Sequence, residues 1–420
     1  MALIHASDYD PIVFPYKGDV PPTQIDRAQS IEPSTDLNRE EVNEIGRNED
    51  NGLVGYVKGR PSVPYTMTQY EYGNIEFWRK ITNKADSVDK IELTDFRTSA
   101  FDIGAYLTDV EGTALGTLLY PALRVAGFSF SIGDPEAIIE RSFNFIGEEA
   151  QTFQEDNKYY IYARHEAGSG GDDEIDLSAK PPVALPDEDV SGATDEEKYI
   201  YRVLRVRSDS TTLLIATTDY TYSNATKKVT INSIQTGDVI KVYYTSSSVP
   251  SLLWTPNDND PVAIRADSVD IFLYVPASGK PSTSDKVYRL QNVTVDVSFD
   301  RSDLGEIGNK NIVLRSINDT TVSVTLGRFL DQFLVEEVLA GQASGYGQIN
   351  VEKFTDNASL IIKFYSDNTK QTFKYGIKCD GLSPTSINNS ITVQEHTEQE
   401  NIIAGKSMII TTDNNELGGL

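Results

Sequence analysis

The sequence predicts a mainly β chain: two tandem β-sandwich or barrel domains, each flanked by one helix, with a further β-sandwich module inserted between them. Three observations carry this expectation. The chain has 22 Tyr and 16 Phe but only 2 Trp within a hydrophobic fraction of 39%, a composition that suits strands rather than disorder. Many short runs alternate apolar and polar residues, the period of a half-buried strand. Finally, one stretch occurs twice, and 420 residues are enough for two or three domains with sizeable cores.

The repeated stretch runs from Gln29 to Gly46 and again from Gln291 to Gly308. At a constant offset of 262, Gln29, Arg39, Glu44, Ile45 and Gly46 fall on Gln291, Arg301, Glu306, Ile307 and Gly308. Ile31 with Val293, Leu37 with Phe299, Asn38 with Asp300, Glu41 with Asp303 and Val42 with Leu304 keep their chemistry. Read locally, a strand ends at Leu37 or Phe299, Asn38 or Asp300 caps a helical turn, and an acid three residues on completes a capping box. Gly46 or Gly308 then closes the turn with a positive φ. Arg39 and Arg301 are expected to meet carboxylates.

Taken in order, residues 8–153 form the first copy. Ile12-Val13-Phe14 reads as a strand, Thr66 to Tyr70 as another, and about Asn74 to Ile81 as a short amphipathic helix. Leu123 to Ser129 opens a hairpin that ends at Ile146-Gly147. Residues 263–412 form the second copy, with Ile271-Phe272-Leu273, the alternating strand Thr321 to Leu326, and a helix within Phe329 to Leu339 whose Leu330, Phe333, Leu334 and Val338 recur at helical spacing. Laying Leu123 to Ser129 on Ile377 to Ser383 matches Gly127 with Gly381 and Cys379 with Val125, and makes the second hairpin, ending at Gly405, four residues longer. Between the copies, residues 154–262 begin with a breaker-rich segment and continue as short strands with Ser-Asn and Gly-Asp turns. Their spacing resembles immunoglobulin-like modules.

The net charge of −26 is spread over the chain, with −12, −8 and −6 on residues 1–153, 154–262 and 263–420. A basic nucleic-acid-binding patch and attraction to anionic membranes are thereby disfavoured. One cysteine, Cys379, excludes an internal disulfide and a cysteine-based zinc cluster; it reads as a buried apolar residue. The N-terminal MALIHASDYD has no basic leader, and no run reaches the length of a membrane span, so synthesis in the cytoplasm without an export signal is expected. His5, His165 and His396 lack zinc-ligand spacing, and His165 reads as a solvated loop residue. Gly52 to Gly59 lacks the ending of a phosphate loop. The acidic clusters Asp172-Asp173-Glu174 and Asn257 to Asp260 offer oxygen ligands without the spacing of a calcium loop. No cofactor, metal or catalytic residue is expected.

The doubled order of strand, Arg-x-x-x-x-Glu-Ile-Gly turn, Thr-rich strand, helix and Gly-centred hairpin, carried by Asn38 to Gly46 and Asp300 to Gly308, resembles the tail tube (major tail) proteins of long-tailed bacteriophages. The resemblance covers about two thirds of the chain and leaves the middle section out. It implies a non-enzymatic virion protein of the tail, assembled in the host cytoplasm. Such a protein stacks in rings to form the conduit for double-stranded DNA, with tape-measure, tail-terminator and tail-tip proteins as partners. Those proteins often carry one tube domain and form six-membered rings; two per chain imply a trimer with pseudo-sixfold symmetry. A β-rich surface adhesin or carbohydrate-binding protein is the alternative, and it would be expected to carry an export signal and clustered exposed Trp.

Overall fold

The computed structural model describes residues 9–419 except 26, 38, 44–52, 59–60, 110, 112, 148, 169, 186–192, 208–209, 251–262, 277–280, 306–311, 330–332, 342–351, 353 and 391–397. The first half contributes β1 (Tyr9–Pro15), β2 (Thr23–Gln24), β3 (Ala28–Pro33), β4 (Arg39–Asn43), β5 (Leu53–Lys58), β6 (Val63–Tyr70), α1 (Glu76–Ile81), β7 (Lys90–Glu92), α2 (Leu93–Arg97), β8 (Phe101–Thr108), β9 (Ala114–Ile132), β10 (Glu140–Gly147) and β11 (Gln151–Gln154). The middle section holds β12 (Tyr159–Glu166), β13 (Gly171–Asp176), α3 (Asp195–Tyr199), β14 (Arg202–Arg207), β15 (Ser210–Leu213), β16 (Tyr220–Ser223), β17 (Lys228–Ile234) and β18 (Val239–Ser246). The second half holds β19 (Val269–Tyr274), β20 (Leu290–Gly305), β21 (Ile312–Phe329), α4 (Leu334–Leu339), β22 (Ala358–Tyr365), β23 (Phe373–Ser390), β24 (Glu398–Gly405) and β25 (Ser407–Thr411). The chain is mainly β, as its composition and alternation require.

One pairing path occurs twice. Antiparallel strands follow β1-β8-β9-β10-β6-β3 in the first half and β19-β22-β23-β24-β21-β20 in the second. The backbone irregularities coincide as well. Positive φ falls at Arg27 and Arg289, at Asn83 and Gly341 just after α1 and α4, and at Ala122 and Gly381. A bulge leaves Gln29 as the extra residue of β3 and Gln291 as that of β20; a second leaves Ala126 extra in β9 and Thr385 in β23. Matched this way, Gly127 corresponds to Ser386, Gly381 to Ala122, and Cys379 to Tyr120. The expected matches of Gly127 with Gly381 and of Cys379 with Val125 are therefore corrected, and the apparent extra length of the second hairpin disappears. Glycine identity misled because the left-handed position is filled by Gly in one half and Ala in the other. Cys379 is buried, and burial, with Asp380 next, pushes its thiol up to about 12.

The expected capped turn is also corrected. Arg39 to Asn43 is strand β4, paired with β5, and β20 runs unbroken from Leu290 through Arg301 to Gly305 against β21. The neighbouring strand satisfies these amides, so the capping signals lose to the ladder. Glu44, Ile45, Gly46, Glu306, Ile307 and Gly308 lie outside the described residues. In α4 the buried residues include Val335, Val338 and Leu339, whereas Phe333, expected on the packed stripe, lies just before the helix and is exposed.

Helix α1 seats Phe77, Trp78 and Ile81 on the inner face of the sheet. Trp78 stands 4.8 Å from Phe128 and 4.7 Å from Phe143, ring centre to ring centre, close edge-to-face packing. Among the described residues each half also buries one arginine. Arg141 on β10 donates to Gln69 on β6 at 3.0 Å and to Glu71 at 3.2 Å; Arg328 on β21 donates to Gln399 on β24 at 2.9 Å and to Glu336 at 2.8 Å. The Arg-Gln pair is the same cross-strand position with the partners exchanged.

The middle section forms two sheets, β12-β18-β14-β15 and β13-β17-β16, and packs on the first half. Ile12, Phe14, Tyr106, Leu119 and Phe153 share one apolar cluster with Tyr160, Val203 and Tyr243. At its edge the buried Asp102 carboxylate accepts from Tyr160 Oη at 2.9 Å, from Arg202 Nη1 at 3.2 Å, from the Ala122 amide at 2.9 Å and from the Tyr16 hydroxyl. Burial first, then Asp102, holds the Tyr16 and Tyr160 hydroxyls well above the usual phenol range, so both remain donors.

The Ala122 and Gly381 equivalence makes a reciprocal test. Ala122→Gly relieves a left-handed alanine and should stabilise by about 0.5–1 kcal/mol, whereas Gly381→Ala should destabilise by about 1–2 kcal/mol, because its added Cβ also meets the Lys406 side chain at 2.8 Å. Urea denaturation of the two variants measures both signs.

Candidate assembly interface

The two halves are joined by strand pairing. Strand β9 receives β10 along one edge and, along the other, first β8 and then β20. The β20 contact runs from Val293 opposite Ile132 to Ser298 opposite Gly127. Gly127 permits the approach: a Cβ there would stand 2.8 Å from the Val297 carbonyl oxygen. Beyond the ladder, Phe299 packs against Phe96 and Phe128 with ring centres 5.8 and 6.3 Å away. Arg301 then reaches across the joint, its Nε donating to the Val125 carbonyl at 2.7 Å and Nη2 to the Phe96 carbonyl at 3.0 Å. Arg301 thus meets main-chain carbonyls of the other half.

Among the described residues, no second strand covers the corresponding positions at the far ends: β3 pairs only with β6, and Ser386 to Ser390 of β23 pair only with β24. Phe128 and Phe130 on β9 are buried, while their counterparts Ile387 and Asn389 on β23 are not. Val293, Val295, Val297 and Phe299 are buried on β20; along β3 and after it, Ile31 and Pro33 are half-buried, Thr35 is exposed, and Leu37 is 49% exposed. Arg39 is exposed and pairs in the ladder with Lys58, as Arg301 does with Ile317. The structure thus brings Arg301 to a joint and leaves Arg39 at an open edge, while Gln29 and Gln291 are the bulge residues that begin each edge.

The face of this sheet opposite the helices is mostly polar, with Ile146, Ile402 and Ala404 as apolar exceptions. Hydroxyls and amides pair across neighbouring strands: Ser30 with Thr68 at 2.7 Å, Thr66 with Asn144 at 3.2 Å, Ser131 with Thr294 at 3.4 Å and Ser298 with Thr321 at 2.6 Å. Its charged groups include Glu32, Glu140, Asp296, Glu398 and Glu400, all exposed. Within 28–33, 63–70, 127–132, 140–147, 292–298, 321–327, 383–390 and 398–405 the one basic residue is Arg141, which is buried on the other face.

The remaining candidates resolve into structure. His165 lies on β12 rather than in a loop and bonds Asp173 at 2.7 Å, while Glu174 pairs with Lys228 at 2.6 Å. His5, His396 and Asn257 to Asp260 lie outside the described residues. Among the described residues no group of three or more His, Cys, Asp or Glu is placed to hold a metal, and no helix is long and apolar enough to cross a membrane.

Neither a protein-family model nor a curated protein matches this sequence. Among solved structures, the chain is similar to a component of the sheath-tube complex of the PVC extracellular contractile injection system in its extended state, at 13% identity and a TM-score of 0.26, over 35% of this chain and 90% of that one. It is likewise similar to a component of the anti-feeding prophage baseplate, at 11% identity and a TM-score of 0.26, over 37% of this chain and 98% of that one.

The two arginines should separate in stability measurements. Arg301→Ala removes charged hydrogen bonds from a half-buried seam and should cost about 2 kcal/mol; Arg39→Ala, exposed in the single chain, should change its stability by less than about 0.5 kcal/mol. Chemical denaturation at low protein concentration reads both.

Proposed function

We propose that this chain is a structural subunit of a phage-type tail. Three chains close into a ring with pseudo-sixfold symmetry, and stacked rings form the tube through which double-stranded DNA passes. The observation that carries the reading is the edge-to-edge joint of two copies of one pairing path, with one edge of each kind left unpaired among the described residues. Such a head-to-tail contact is heterologous, and repeated with a suitable rotation it closes a ring. Closure also removes the exposed edges, which would otherwise favour uncontrolled pairing.

The polar face supports the same reading. Lining a channel with hydroxyls and carboxylates and without exposed cations avoids the counterion release that would fix DNA to the wall. Residues 8–153 and 263–412 are then the two tube-type domains and 154–262 is an outward module. Its apolar contact with β1 and β8 means that excision uncovers Ile12, Phe14 and Tyr106, so a linker replacement needs polar residues at those sites. The tail partners implied by the resemblance, tape-measure, terminator and tip proteins, would meet the ends of the stack. No cofactor and no membrane enter this assembly.

Electron microscopy of the purified protein at high concentration tests the reading. End-on views should show rings or tubes with three outer lobes. Six chains per ring, or monomers alone at every concentration tried, would overturn it.

A further inference from the structure

The observed seam within one chain specifies the contact between chains. Resting on the ring reading above, we infer that the open edge at β3 of one chain closes on the second half of β23 of the next in the register of the β20 and β9 joint, with Leu37 and Arg39 taking the parts of Phe299 and Arg301. The repeat equivalence supplies the pairs. Thr294 opposite Ser131 translates to Glu32 opposite Ser390, and Val295 opposite Phe130 to Pro33 opposite Asn389. Arg301 on the Val125 carbonyl translates to Arg39 on the Pro384 carbonyl.

The hydrogen-bonding directions fit. The amides of Ser34 and Asp36 point inward, to the carbonyls of Pro64 at 2.9 Å and Ser62 at 2.8 Å. Alternation along a strand therefore turns the main-chain groups of Ile31, Pro33 and Thr35 outward. Pro33 has no amide to give, so this edge offers two donors and three carbonyls, a reduced set that discourages pairing with an arbitrary strand. Two features distinguish the joint between chains from its template. Ser386 stands where Gly127 allows a close approach, so the strands must separate by a few tenths of an ångström at that end. Leu37 is smaller than Phe299 and leaves the aromatic cluster incomplete. Both weaken the contact relative to the internal seam and suit a joint that forms on assembly.

Because the outward-facing pairs flank it, Glu32 opposite Ser390 is a non-hydrogen-bonded pair, the kind with the closer side chains. Glu32→Cys combined with Ser390→Cys in the full chain, assembled and then mildly oxidised, should give covalent dimers and trimers on a denaturing gel. The native Cys379 is buried and does not compete. Ser131→Cys with Thr294→Cys should cross-link within one chain and calibrate the chemistry, and Glu32→Cys with Asn388→Cys, two residues out of register, should lose the product. Arg39→Ala should raise the protein concentration needed for assembly about tenfold without altering the circular dichroism of the single chain. Rings that form normally but give only monomer after oxidation would overturn this register and leave the ring reading standing. Absence of both rings and cross-links would overturn the two together, and an unchanged assembly concentration for Arg39→Ala would remove the arginine from the contact.

Discussion

A β-strand has two edges, and each main-chain amide and carbonyl on them needs a partner or water. The organisation of this protein follows from where that requirement is met within the chain. Strand β9 is long enough to be paired by β8 and then by β20 along one edge, and this joins the halves into one sheet with a shared core. Phe96, Phe128 and Phe299 close that core from both sides of the joint. Among the described residues the same rule leaves β3 paired only with β6 and the end of β23 only with β24.

The middle section answers a different requirement. Strands β1 and β8 carry large apolar side chains on the face away from the main core, and the inserted strands cover them. Asp102 sits at the margin of that contact. Its burial is tolerable because two phenols, a guanidinium and a main-chain amide all donate to it. Removing one donor would leave the buried carboxylate under-satisfied and should destabilise the contact between the middle section and the first half.

The charge distribution connects the fold to the proposed role. Arg141 and Arg328 are buried with partners and Arg301 is placed at a seam, while Arg124 on β9 is half-buried opposite Ile146. Hydroxyls, amides and carboxylates predominate on the open face between residues 127–132, 140–145, 292–298 and 321–327.

The sequence by itself determined that the chain is β-rich and that a segment near Gln29 returns near Gln291, because composition, alternation and identity at fixed spacing are local quantities. It also determined that α1 lies on the core, through the apolar spacing of Phe77, Trp78 and Ile81. Three things were decided only by tertiary structure. The stretch after Leu37 and Phe299 has capping chemistry, yet a neighbouring strand satisfied its amides and made it a ladder. The buried Arg-Gln pair exchanges its partners between the halves, so an alignment records two mismatches where space holds one conserved contact. The left-handed residue is Ala122 in one half and Gly381 in the other, and only the backbone reveals them as the same position. The seam itself had no local signature beyond Arg39 and Arg301, because a joint between strands distant in the chain depends on which edges remain unpaired after everything else has folded.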